Sequence, residues 1–203
     1  MSLKLAVKGM IDYLSVTRYF IIRAYEDGIE AEMTNMKLQK LLYYAQSLHL
    51  ALYNRPLFDE EIQAWRYGPV CPPAYRFYSQ FEAEQLPIPE RKYLLQIPPE
   101  KKELLDEVWE YFGGYHAYRL SEMTHGEFPW KKARKGLRPE ASSREPILLD
   151  DMKALGQQKL DLIERDNPAY ELTMSKILQD AFVSDSSKRI SKGEIGDWLN
   201  VLV

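Results

Sequence analysis

The sequence predicts a mainly α, compact multi-helix domain with at most a short extended or hairpin segment around residues 58–70 and 86–98. Apolar residues recur three or four positions apart in several windows, which is typical of helices that pack on one face. Proline and glycine separate these windows. Of 203 residues, 45% are apolar and 12% aromatic, which is enough for a buried core and excludes wholesale disorder.

The two N-terminal helices have clear boundaries. The first is predicted over about residues 10–26, where Asp27-Gly28 ends it. The second is predicted from an N-cap at Thr34 to about Tyr53. Its apolar residues form one stripe, which makes the helix amphipathic: Leu38, Leu41, Leu42, Ala45, Leu48 and Leu52.

Residues 58–70 interrupt the helical pattern. After the acidic residues 59–61, Gln63, Trp65 and Tyr67 alternate with Ile62, Ala64 and Arg66, as in a short extended segment. Gly68-Pro69 is predicted to turn the chain. Pro72-Pro73 suits the first turn of a helix that we expect to run to about residue 82.

The following region alternates loops and helices. Residues 86–99 hold four prolines and are predicted to be loop or edge strand. A helix from Pro99 to Phe112 follows, closed by Gly113-Gly114. Shorter helices are predicted over residues 117–124 and from Pro129 onward, and a longer one over about residues 147–165, with Leu148, Met152, Leu155, Leu162 and Ile163 packing on the rest.

We divide the chain into a domain of residues 1–150 and a helical C-terminal extension of residues 151–203. The extension contains a short helix at about residues 171–182 and a polar linker at 184–193. Its apolar end, residues 194–203, is too small to fold alone. We therefore expect it to dock on its own domain, on a second copy in a homodimer, or on a partner.

Charge and composition exclude several classes. The formal net charge of −3 does not favour nucleic acid as a partner. No apolar run is long enough to span a membrane, so no membrane partner is predicted and a cytoplasmic location is expected. Cys71 is the only cysteine, which excludes an internal disulfide, and we interpret it as an inert, partly buried thiol.

One cluster resembles a catalytic site. His125 beside Glu127 suggests a general base, the hypothesis of a small enzyme. The structural interpretation is favoured: Thr124 and His125 end one helix, and Pro129-Trp130 starts the next with an inward indole. Because no nucleophile, phosphate-loop or metal-ligand motif occurs, we predict no catalytic residue, no cofactor and no metal.

A basic run lies beside Trp130 and has two interpretations. It is either a patch for a phosphate-rich partner or positive charge at a helix C-terminus, and the second is favoured. The run consists of Lys131, Lys132, Arg134, Lys135 and Arg138.

The motif order resembles a known family. KLQKLLYYAQ, AWRYGPVCPP and LSEMTHGEFPWKKAR (starting at Lys37, Ala64 and Leu120) occur in the order and spacing of the SocA-like antitoxin family. This family is also called the Panacea domain and was formerly the phage-associated GepA-like group. The resemblance covers about residues 11–149.

The resemblance implies a bacterial antitoxin that binds and neutralises a cognate protein toxin without catalysis. An alternative in the same family is an adaptor that presents its toxin to a bacterial protease. We expect the exposed part of one segment, with the extension from about residue 171, to contact the partner. That segment consists of Trp65, Arg66, Tyr67, Gly68, Pro69 and Val70.

Overall fold

The computed structural model describes residues 9–138 and 140–166, and it confirms a mainly helical domain with one short hairpin. Within these residues no helix is both long enough and apolar enough to cross a membrane. Seven α-helices and two strands are found there: α1 (Tyr13–Glu26), α2 (Asn35–Tyr53), β1 (Gln63–Trp65), β2 (Gly68–Val70), α3 (Pro72–Phe77), α4 (Pro99–Phe112), α5 (Ala117–Gly126), α6 (Phe128–Ala133) and α7 (Leu149–Asp166).

Helix α2 is the centre of the fold. Its predicted N-cap is confirmed, since the Thr34 side chain accepts a hydrogen bond from the Lys37 amide at 3.4 Å. The amphipathic interpretation is wrong, because residues 37–50 are buried on every face. Helices α1, α4, α5 and α7 and the hairpin surround α2, so even Lys37, Lys40 and His49 lie inside.

Helices α1 and α4 pack beside α2 through aromatic rings. Phe20 stacks on Trp109 with ring centroids 6.4 Å apart, and Tyr44 stacks on Phe112 at 3.9 Å. The predicted bounds of α4 are confirmed, with Pro99 in its first turn. Helix α1 begins three residues later than expected, where Asp12 accepts from the Leu14 amide.

The hairpin is present, but its turn is not where the sequence placed it. Strands β1 and β2 pair antiparallel, with Trp65 opposite Gly68, so Arg66 and Tyr67 form a two-residue turn. Gly68 instead opens β2 with a φ of +102°, a value that favours glycine. The Ala64 amide also donates to the Glu145 carbonyl at 2.8 Å, which ties β1 to the segment before α7.

Residues 86–98 form no strand, contrary to the edge strand allowed above. A 3-10 helix occupies Arg91–Gln96, and the Leu86 amide donates to the Met33 carbonyl at 2.9 Å. The prolines of this segment have no N–H with which to pair in a sheet. Helix α3 is also shorter than predicted and is followed by a 3-10 turn at Ser79–Phe81.

Helix α7 packs tightly along α2. A Cβ added at Gly156 would lie 2.1 Å from the Ser47 carbonyl oxygen, so the two backbones are almost in contact there. Met152, Leu155 and Ile163 are buried as predicted, whereas Leu148 and Leu162 are 58% and 36% exposed. The predicted helix at 171–182, the linker at 184–193 and the apolar end lie outside the described residues.

A buried histidine at the far end of α2 makes stability depend on pH. His49 donates from Nδ1 to the Arg55 carbonyl at 2.7 Å and accepts at Nε2 from Lys101, which is itself 2% exposed. Burial, and then the charge of Lys101, lowers the pKa of His49 from 6.5 to about 3. Protonation must break this arrangement.

We expect the free energy of unfolding to fall on acidification, because His49 becomes protonated. Because the folded-state pKa of His49 lies below its unfolded value, its contribution to the free energy of unfolding is complete above about pH 6.5 and is lost progressively toward pH 3. At about pH 5 the loss is about 2 kcal/mol. Urea unfolding at about pH 7 and pH 5 measures this loss. A His49→Asn variant should lose less than the parent between these pH values; equal losses in the two proteins would contradict the assignment.

Candidate functional site

A cleft of about 670 Å³ opens beside the hairpin. Of the predicted partner-binding residues, Trp65, Arg66, Tyr67 and Val70 line it, whereas Gly68 and Pro69 are buried beneath. The other walls come from the first turn of α2 (residues 34–36), from α3 and from the start of α5 (residues 116–118). The hairpin therefore forms one side of a concave surface.

The turn of the hairpin projects two side chains outward. Arg66 is exposed and lies over the Tyr67 ring at 5.0 Å, and Tyr67 is 60% exposed. The strand alternation predicted for residues 62–67 stops at Trp65, because the next two residues form the turn. Trp65 is half-buried, and its ring packs edge-on against Tyr75 at 5.1 Å.

The hairpin is held from beneath by four side chains, which we call the hairpin clamp. Each donates a hydrogen bond to a carbonyl oxygen of the hairpin: Arg134 to Ala64 (3.2 Å), Trp130 to Trp65 (2.9 Å), Ser121 to Tyr67 (3.0 Å) and Lys40 to Pro69 (3.0 Å). Such bonds contribute about 1 kcal/mol each. The clamp fixes the hairpin backbone in one shape and leaves its turn exposed.

The clamp brings together the three motifs on which the family resemblance rests. Lys40 comes from the first motif, the carbonyls from the second, and Ser121, Trp130 and Arg134 from the third. One more hydrogen bond ties the end of the hairpin to α2: the Cys71 amide donates to the Gln39 side chain at 3.0 Å. Sequence analysis did not identify Lys40 or Ser121 as part of the site, because their partners lie far along the chain.

Arg134 is a core residue and not part of an exposed basic patch. It is 1% exposed, lies 4.6 Å over the Trp130 ring and also donates to the Arg138 and Ala141 carbonyls. Two lysines of the same run are neutralised, Lys132 by Asp151 at 2.7 Å and Lys135 by Glu145 at 2.9 Å. The run therefore does not form the patch for a phosphate-rich partner, the less favoured of its two interpretations, whereas Lys131 and Lys132 do lie in the last turn of α6.

The predicted structural motif sits under the hairpin turn. Thr124 is buried and donates to the Ser121 carbonyl at 2.8 Å, and Pro129 lies in the first turn of α6. The His125 ring lies 4.4 Å from the Trp130 ring. Burial, and then nearby Lys40, lowers the pKa of His125, while a hydrogen bond with the Arg66 backbone opposes this. Helix α5 continues through His125 to Gly126 instead of breaking before it.

His125 and Glu127 do not form the acid–base pair that an enzyme would need. The Glu127 carboxylate accepts from the Tyr44 hydroxyl at 3.0 Å and pairs with Lys159 of α7 at 2.8 Å. Burial raises the pKa of this carboxyl even though Lys159 lowers it. Glu127 thus fastens α7 to the domain and faces a different set of groups from His125.

Neither a reactive thiol nor a metal centre accompanies the cleft. Cys71 is fully buried, more than expected, and burial raises its pKa to about 11, which disfavours the reactive thiolate. Across residues 9–138 and 140–166, no group of three or more His, Cys, Asp or Glu side chains is placed to hold a metal ion.

Comparison with known proteins supplies the family. The SocA-like antitoxin, Panacea domain family matches residues 38–131, which run from α2 through the hairpin and α5 into α6. Antitoxin SocA of Caulobacter vibrioides (strain NA1000 / CB15N) is 40% identical over 52 residues, a match that covers 26% of this chain and 28% of that protein. No solved structure matches. These matches identify residues 38–131 of the chain as a SocA-like antitoxin, Panacea domain.

Proposed function

We propose that this protein is an antitoxin that binds a cognate protein toxin directly, through the hairpin turn and the cleft beside it, and neutralises it without catalysis. The observation that supports this most is the hairpin clamp. Four buried donors hold a two-residue turn whose Arg66 and Tyr67 side chains are exposed. A surface that is already rigid loses little conformational entropy when a partner binds.

The composition of the cleft suits recognition of a protein. Its rim carries tyrosines with exposed rings, among them Tyr67, Tyr75 and Tyr118, which are 60%, 38% and 70% exposed. Tyrosine and arginine are enriched where a few residues dominate binding energy. A stable interface needs about 800 Å² from each partner, so we propose that the extension from residue 171 adds to the contact.

The location and the partners follow from this function. A toxin made in the same cell is met in the cytoplasm, and the proposal needs no membrane and no nucleic acid. Binding of a second copy through residues 194–203 stays a prediction, which sedimentation at micromolar concentration tests.

The exchange of Arg66 for glutamate tests the contact surface. We expect Arg66→Glu to weaken toxin binding about tenfold or more, because the reversed charge lies at the centre of the proposed contact. Calorimetric titration with the toxin encoded by the neighbouring gene measures this. Arg91→Glu makes the same change at an exposed arginine outside the cleft and should leave the affinity unchanged.

A second variant removes residues 185–203 and should also weaken binding while the domain stays folded. Unchanged affinity in both Arg66→Glu and this deletion would reject the proposed surface. The toxin's half-life in cells decides between blocking and delivery: a toxin that disappears faster when this protein is present would indicate an adaptor for a protease.

A further inference from the structure

Helix α6 lies between the hairpin and α7 and contacts both. Trp130 and Arg134 are about one helical turn apart, and both donate to carbonyl oxygens of the hairpin. Lys132 is two positions after Trp130, which puts it on the opposite side of the helix, where it pairs with Asp151 of α7 at 2.7 Å. This short stretch therefore provides two members of the hairpin clamp and a contact to α7.

A helix as short as α6 does not fix its own position. It has 6 residues, and helices shorter than about 12 residues are marginal in water without tertiary contacts. The positions of the Trp130 and Arg134 donors are therefore set by the groups that pack around α6. The contacts to α7 are among these groups, so they help to decide where the donors lie.

The ion pair at the start of α6 is more buried than the one at Lys132. Glu127, directly before α6, pairs with Lys159 of α7 at 2.8 Å, and their side chains are 8% and 15% exposed. The Glu127 carboxylate also accepts from the Tyr44 hydroxyl of α2 at 3.0 Å. Removal of one partner from a buried pair is costly, because the other charge stays buried. Neither Glu127 nor Lys159 lines the cleft.

A second connection joins the hairpin to the start of α7. The Ala64 amide of β1 donates to the Glu145 carbonyl at 2.8 Å. The Ile147 amide donates to the Ile62 carbonyl at the same distance, 2.8 Å, and α7 begins two residues later, at Leu149. The hairpin is thus held on one side by the segment that leads into α7, and from beneath by donors whose helix is fastened to α7.

We infer that Glu127 and Lys159 are positioning residues for the toxin contact, because they hold α6 where its donors fix the backbone of the hairpin turn. The pair lies outside the proposed contact surface and acts through the hairpin clamp. This inference rests on the proposed function and adds to it that the docking of α7 controls the turn. Without the pair, Arg66 and Tyr67 lie on a backbone that is no longer held in one shape, so binding costs more conformational entropy.

Indole resonances of the full chain test the positioning without the toxin. The Trp130 indole N–H donates to the Trp65 carbonyl in the hairpin clamp. The Trp109 indole N–H donates to Asp27 at 2.6 Å, between α1 and α4, and is the internal reference. In Lys159→Met we expect the Trp130 indole proton to shift and to exchange with solvent about fivefold faster, with the Trp109 indole unchanged. Lys159→Arg, which keeps the charge, should keep the parent values.

The toxin measurement uses the same variants. Lys159→Met should weaken toxin binding about fivefold in calorimetric titration, at a temperature where circular dichroism shows the variant to be folded. Lys159→Arg should bind as the parent does. Lys153→Met is the matched control and should change neither reading, because Lys153 is also on α7 but donates to Asn54 at the C-terminal end of α2 instead of contacting α6.

Glu127→Gln keeps the test valid if Lys159→Met does not fold, since glutamine can still accept from Tyr44 but carries no charge for Lys159. It should change both readings in the same direction and by less. An unchanged Trp130 indole or an unchanged affinity in these variants, while Arg66→Glu still weakens binding, would overturn the inference and leave the antitoxin proposal standing. If the Trp130 indole responds but Arg66→Glu also leaves the affinity unchanged, the proposed contact surface is rejected and the inference falls with it.

Discussion

Replacing Gly156 with alanine is expected to lower the free energy of unfolding by about 3 kcal/mol, because the added methyl group overlaps the backbone of α2. The Cβ would lie 2.1 Å from the Ser47 carbonyl oxygen, 2.7 Å from its carbon and 2.9 Å from Ala51 Cβ. A carbonyl in the middle of a helix cannot rotate away. Helix α7 must therefore move outward as a whole. Urea unfolding measures the loss.

The movement of α7 would also strain the ion pair between Lys159 and Glu127. That pair is 15% and 8% exposed, and its separation leaves a carboxylate buried without its cation. Alanine in place of glycine favours a helix by about 1 kcal/mol, which offsets part of the cost. In the Gly156→Ala variant, the backbone amides of α7 should exchange their hydrogens faster than those of α4.

Gly126→Ala is the matched control, since this glycine also lies in a helix but a Cβ there meets nothing within 4 Å. It should leave the stability unchanged or raise it by about 1 kcal/mol. If Gly156→Ala behaves like Gly126→Ala, the close packing of α7 on α2 is not a feature of the folded protein.

Gly68→Ala is expected to cost a similar amount, about 3 kcal/mol, for two separate reasons. Its φ of +102° is unfavourable for any residue with a Cβ. The Cβ would also lie 2.7 Å from Thr124 Oγ1 and from Lys40 Cε. Relief of this overlap moves Lys40 off the Pro69 carbonyl and loosens the hairpin clamp. Urea unfolding and toxin affinity should both decline.

Gly28→Ala separates the two causes. Gly28 has a φ of +70° and open space around it, so alanine there incurs only the backbone cost of about 1 to 2 kcal/mol. A larger loss at Gly68 measures the overlap with the clamp. Equal losses at the two positions would mean that Lys40 and Thr124 do not support the hairpin from beneath.

Local signals predicted the helices well. The N-cap at Thr34, the proline in the first turn of α4 and the glycines after Phe112 each act within one helical turn, and the bounds of α2 and α4 were predicted from them. The resemblance of three motifs also sufficed for the family, because it depends on residue order alone.

Contacts between distant segments account for the errors. The hairpin turn was placed at Gly68-Pro69, and neither interpretation of the basic run placed Arg134 in the core, whereas its guanidinium lies inside against the Ala64 carbonyl. The partners of these groups are dozens of residues away. A pattern within ten or twenty residues carries no information about them.

The order of residues thus established a helical domain of this family and the ends of its main helices. The folded arrangement alone decided which polar groups are buried, that Lys40 faces the hairpin and that Glu127 pairs with Lys159. The physical reason is that the spacing of apolar residues identifies one buried face of a helix, whereas the burial of its other faces depends on how many other segments pack against it. Helix α2 is enclosed on all sides, and its polar side chains hold the hairpin in place.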